Sequence, residues 1–160
     1  MSVRLALLLG AALSAGAGPP SSFTIQREAR EAMHQLWTSS LAARAERVAC
    51  LAGTIEGDTV RVTAIRPLDG GAGDSLGVGA GASIETCGPP AWQGTVHTHI
   101  ALYDGQRPYS LFSGSDRGVM LMWGQRWRAR GIFCLLFSAD QIHCELDGIE
   151  GGVIFPSAKY

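Results

Sequence analysis

Two histidines one residue apart, His97-Thr98-His99, lie in a run from Gln93 to His99 whose residues predict a short strand. Strand side chains alternate between faces, so residues two apart point the same way. The pair therefore aims two imidazoles at one point, and each neutral ring can give a divalent metal one lone pair at about 2.0–2.1 Å. Downstream, Ser113-Gly114-Ser115-Asp116 is an S-x-x-D box where a helix should begin. A carboxylate there is stabilised by unpaired N–H groups and the positive end of the helix dipole, which keeps it ionised and available as a third ligand. Two histidines and one carboxylate leave a tetrahedral zinc one open position, the mark of a catalytic site. Each piece also has a plainer explanation. Isolated histidines are commonly surface groups or core groups with a satisfied N–H, and Ser113 with Asp116 can simply cap a helix.

The elements that must position these residues follow from patterning. Ile25, Ala29, Ala32 and Leu36 repeat at helical spacing, with Thr24 as N-cap, and predict a helix to about Ala45. Arg47 to Thr54 and Thr59 to Ile65 are β-rich, and Gly57-Asp58 between them signals a hairpin. From Leu68 to Ser83 the pattern dissolves into Gly, Ala, Asp and Ser, a loop long enough to be functional or mobile. A second loop, Ile100 to Phe112, carries Tyr103, Arg107 and Tyr109. A helix is expected from about Asp116 to Arg128, then strands at Ile132 to Phe137 and Gln141 to Leu146, with a further one at Val153 to Pro156. Helix, strands, loop, strand, helix and strands in that order predict an α+β fold, an α/β sandwich on one sheet.

Composition sets the outer limits. The chain has 160 residues, 46% hydrophobic and 17% charged, with a net charge of −1, which suits one domain with its own core. That balance offers no basic face for nucleic acid. Arg4 followed by the apolar run Leu5 to Leu13 reads as a secretory signal, with Ala15-Gly16-Ala17 as the cleavage site, so residues 1–17 are expected to be removed and 18–160 to form the domain. An uncleaved anchor is the alternative; after cleavage no membrane insertion is expected, and the location is periplasmic or extracellular. The four cysteines, Cys50, Cys87, Cys134 and Cys144, fit an oxidising compartment and allow three connectivities. Cys134 and Cys144 would face each other across a hairpin around Ser138-Ala139-Asp140, leaving Cys50 for Cys87. A free Cys50 thiol could alternatively act as a soft ligand near the metal.

Glu46, at a helix-to-strand junction, is by type and place a solvated surface residue. In combination, however, the residues resemble a known pattern. Glu46 with Gly53 (E-x6-G), then His97-Thr98-His99, then Ser113 to Asp116 look like the JAMM motif of the MPN-domain (JAB-type) zinc metalloproteases, over about Phe23 to Leu146. The resemblance implies an MPN/JAB-like single mixed sheet flanked by helices and one zinc ion on His97, His99 and Asp116. It also implies Glu46 as general base, Ser113 as donor to the developing oxyanion, and a protein or peptide substrate cut at an amide or isopeptide bond. The chain departs from the pattern at Ile100, where the family usually has Pro. Sixteen residues separate His99 from Asp116, against about ten, so the intervening loop is enlarged.

Competing H-x-H architectures fit less well. An amidohydrolase barrel needs about 250 residues, and a cupin has almost no helix. Two non-enzymatic alternatives stay open: an MPN-like binding or scaffold module, and a disulfide-stabilised secreted ligand binder.

Overall fold

The structure is a computed structural model that describes residues 19–68, 80–102, 105–147 and 152–160. The expected signal peptide, 1–17, lies outside the described residues, as do Tyr103, Asp104 and most of the glycine-rich loop. Among the described residues eleven elements follow in order: β1 (Ser22–Ile25), α1 (Arg27–Ala43), β2 (Val48–Glu56), β3 (Thr59–Pro67), α2 (Ala80–Thr86), β4 (Gly94–Thr98), α3 (Gly114–Trp127), β5 (Gly131–Leu136), β6 (Gln141–Asp147), β7 (Val153–Ile154) and β8 (Ala158–Lys159). All strands join one sheet in the order β1-β3-β2-β4-β5-β6-β7, with β8 also on β6. The β1–β3 and β4–β5 pairs are parallel and the others antiparallel, so the sheet is mixed.

Strand alternation divides the side chains between two faces. One face carries Ala49, Leu51, Val60, Val62, Val96, Cys134, Leu136, Ile142, Cys144 and Leu146, all buried beneath Ala29, Met33, Leu36 and Trp37 of α1. This apolar layer is the main core, and its burial is the dominant stabilising term. On the opposite face Phe133 and Leu135 pack with Phe112, Met120 and Trp123 in a smaller cluster under α3. Helices thus cover both faces of a mixed α/β sandwich.

Several expectations need correction. Thr24 does not cap α1: it pairs with Arg61 in β1, and Gln26 takes the N-cap position without a side-chain bond. Long-range strand pairing there overrides a locally plausible helix start. The buried stripe of α1 is Ala29, Met33, Leu36, Trp37 and Ser40, so Ala32 sits at its margin. The end of the expected Leu68–Ser83 loop is helical, since α2 begins at Ala80 and runs to Thr86, and β8 is an additional strand. The hairpin at Gly57 is present, Gly57 supplying a positive φ of 62°.

Both disulfides form as expected. Cys134 and Cys144 are directly paired across β5 and β6, while Cys50 of β2 is bonded to Cys87 just after α2. Bonded Cys50 has no thiol to offer a metal. Among the described residues no helix is long and apolar enough to cross a membrane.

Candidate metal centre

His97 lies on β4, paired with Val48 of β2 and Leu135 of β5. His99 is one residue past the strand, yet its N–H still donates to the Leu136 carbonyl at 2.8 Å, which extends the ladder. Both rings therefore emerge on the α3 face. Thr98 between them points the other way, where its hydroxyl bonds Ser40 of α1 at 2.7 Å and accepts from the Arg47 N–H at 2.9 Å. Gly94 starts β4 at a φ of +150°, and a Cβ there would stand 1.9 Å from the Ile132 oxygen. Only glycine allows β4 to approach β5 this closely.

Asp116 arrives from α3. Ser113 is the N-cap: its Oγ accepts from the Asp116 N–H at 3.2 Å, and Asp116 Oδ2 accepts from the Ser113 N–H at 2.7 Å. This capping box fixes the carboxylate at the start of the helix. Capping and ligation are compatible, since Oδ1 faces His97 free of the cap, while Oδ2 takes the cap N–H and lies beside His99.

The three side chains converge. His97 Nε2 and His99 Nε2 are 3.2 Å apart, His97 Nε2 is 3.4 Å from Asp116 Oδ1, and His99 Nε2 is 3.4 Å from Asp116 Oδ2. A tetrahedral zinc with bonds near 2.0 Å separates its ligand atoms by about 3.3 Å. His97, His99 and Asp116 are close enough together to hold a metal ion. The hydrogen bonding of the rings strengthens the fit. A carbonyl can only accept, so the 2.8 Å contact of His99 Nδ1 with the Tyr109 oxygen places the proton on Nδ1 in the neutral ring. His99 Nε2 then presents a lone pair to a second imidazole nitrogen and a carboxylate. That lone pair can be met by a His97 Nε2–H, by a proton or by a metal ion.

Electrostatics point the same way. Burial pushes the Asp116 carboxyl up, but hydrogen bonds from His97, His99 and Ser113 and the charge of His97 hold it far below the usual carboxylate range. At His99 burial lowers the pKa, and the Asp116 and Tyr109 hydrogen bonds with the charges of Glu46 and Asp116 raise it above 6.5 overall.

Glu46 is exposed and precedes β2. Continuing the Val48–His97 register by two residues puts Glu46 opposite His99, and the 3.0 Å bond from Thr98 N–H to the Arg47 oxygen carries the pairing that far. Opposed residues of an antiparallel pair share a face. Glu46 thus stands beside the imidazole pair, near enough for its charge to act on His99. The Gly53 of the E-x6-G pattern sits at a β-bulge, where a Cβ would stand 2.8 Å from both the Arg61 oxygen and Ile132 Cδ1.

Other expected residues have different roles. Tyr109 contributes its carbonyl to His99, with its half-exposed ring stacked 6.3 Å away. Arg107 is exposed on the loop, which is pinned at its base by a bridge between Leu102 and Pro108. Trp123 is fully buried and donates to the oxygen of Cys87 just past α2, and Trp127 donates to the Ile84 oxygen within α2. The Ser115 hydroxyl bonds Ser113 Oγ at 2.9 Å. A polar cluster of Arg117, His143 and Glu145 went unanticipated. Its signal was the alternation Ile142-His143-Cys144-Glu145-Leu146, which sends two polar side chains to the metal-centre face.

No protein-family model matches the chain, and no curated protein matches it in sequence.

Proposed function

We propose that the chain is an exported zinc-dependent metallopeptidase of the JAMM type, on an MPN/JAB-like domain, hydrolysing peptide or isopeptide bonds. The observation that carries this reading is the convergence of His97, His99 and Asp116 with tetrahedral spacing, with Glu46 on the same face. A zinc ion there would supply Lewis acidity, acidifying water and polarising a carbonyl. Glu46 takes the proton that water releases as its oxygen attacks the amide carbon. The C–N bond then breaks, and Glu46 returns that proton to the leaving nitrogen. Ser113 donates its hydroxyl hydrogen to the carbonyl oxygen as negative charge grows there. Export is supported by the paired cysteines, which persist in oxidising compartments.

The test compares wild type with Glu46→Gln for zinc content, by elemental analysis, and for cleavage of a peptide library. Both proteins should hold one zinc per chain, and the variant should cleave at least about 100-fold more slowly because an amide cannot accept the proton. Substoichiometric zinc in the wild type, or full activity in Glu46→Gln, would overturn the reading.

A further inference from the structure

Beside the metal centre, on the same face of the sheet, two titratable groups are buried where apolar residues ordinarily pack. Glu145 of β6 lies opposite Phe133 of β5, and His143 lies opposite Leu135, with side chains only 4% and 3% exposed. Arg117, the residue after Asp116, grips Glu145 with a two-pronged contact: Nη1 to Oε2 and Nη2 to Oε1, each at 2.9 Å. His143 Nε2–H adds a third bond to Oε1 at 2.9 Å, and its Nδ1 is 3.4 Å from the Ser157 hydroxyl. The Phe112 ring packs 5.6 Å from both His97 and His143, so the cluster abuts the metal centre without joining it.

Stability alone is a poor reason for such a pair. Taking the Glu145 carboxylate out of water is costly, and Arg117, with its side chain half exposed, offsets that cost only in part. A guanidinium fork adds orientation, because two parallel hydrogen bonds fix its plane against the carboxylate. Here the fork joins the first turn of α3 to β6. The buried contacts within α3 lie further along, at Met120, Trp123 and Gly124, so Gly114 to Arg117 bury no apolar side chain themselves and take their apolar anchorage from Phe112, just before the cap. His97 and His99 ride on the sheet, whereas Asp116 rides on that turn. The spacing of the three ligands therefore depends on how the turn is fixed.

We propose that Arg117 and Glu145, the latter oriented by His143, are positioning residues of the metal centre. They lock the first turn of α3 to β6 so that Asp116 stays within ligating distance of His97 and His99. The inference rests on the metal assignment above.

The test is the double variant Arg117→Met/Glu145→Leu built on His143→Leu, which removes both charges together and leaves no buried imidazole N–H without its acceptor. Zinc affinity is measured by competition with a chromophoric chelator, ligand geometry by the visible absorption of the Co(II)-loaded protein, and folding by melting of the metal-free protein. The expected result is unchanged or higher metal-free melting, a 10–100-fold weaker zinc affinity and an altered Co(II) spectrum. Arg117→Lys, which keeps the charge without the fork, should show a smaller loss of affinity. Wild-type affinity and spectrum in the double variant would overturn the proposal, as would an affinity loss that merely follows lowered melting. If the double variant does not fold, Arg117→Lys decides: wild-type affinity there is equally fatal. A wild-type protein that takes up no zinc defeats the metal reading instead. Amide exchange at Ser113 and Asp116 in the metal-free protein then judges the positioning, faster exchange in the variant supporting it and unchanged exchange ending it.

Discussion

A neutral imidazole has one lone pair to give, and at His99 the Tyr109 carbonyl decides which nitrogen keeps it. Without metal, the same nitrogen is best satisfied by a proton, because Asp116 stands beside it. The His99 pKa is raised above its ordinary 6.5, so protonation stabilises the metal-free fold fully below 6.5. That contribution is lost as the pH rises through the folded-state value. Zinc and proton compete for this nitrogen, so zinc binding releases a proton and strengthens with pH. The melting temperature of chelator-treated protein should therefore fall as pH is raised from about 6 to about 8, while added zinc stabilises progressively more. Parallel melting profiles with and without zinc would show that proton and metal do not share the site.

Helix α3 shows how one residue can serve an element and a reaction together. Ser113 caps it through Oγ as acceptor, whereas the proposed chemistry needs the same hydroxyl as donor. These demands can be separated by substitution. Ser113→Ala should cost about 1 kcal/mol in denaturant unfolding, through loss of the cap, and also slow hydrolysis about 100-fold or more. Ser113→Asp keeps a strong capping acceptor but has no donor when ionised, so stability should return while hydrolysis does not. Wild-type turnover by Ser113→Asp would leave Ser113 as a cap alone. The turn between α1 and β2 plays a comparable part: Arg44 in the left-handed region ends the helix, and the Arg47–Thr98 bonds then carry Glu46 past His99.

At the scale of the whole molecule the two sheet faces divide the work. The face under α1 is nearly all apolar, and the other carries the imidazoles, Asp116's helix and the Glu145 cluster. One disulfide belongs to each face. Cys134–Cys144 crosses adjacent strands within the main core and closes a sequence separation of 10, whereas Cys50–Cys87 joins β2 to the end of α2 with a separation of 37. A longer loop loses more freedom when closed in the unfolded chain, about 4 kcal/mol against about 3. Replacing Cys50 and Cys87 by Ala should lower unfolding free energy by about 1 kcal/mol more than replacing Cys134 and Cys144. Denaturant titration of the two double variants measures the difference, and the reverse order would show that native packing, not chain entropy, sets these contributions.

Local periodicity alone placed His97 and His99 on one side of a strand, put Ser113 and Asp116 at a helix start and set Cys134 opposite Cys144. Each depends only on backbone geometry repeated over a few residues. Distant pairing decided the remainder. Thr24 reads as a cap until β3 recruits it into β1, and Glu46 reads as a solvated surface group until the β2–β4 ladder sets it opposite His99. The Tyr109 carbonyl and the grip of Arg117 on Glu145 leave no local pattern that assigns the partner, because a backbone oxygen looks alike at every position and an ion pair has no fixed spacing. Which polar groups meet was settled by burial of the apolar face, whose free energy fixes the strand order and carries the polar face with it.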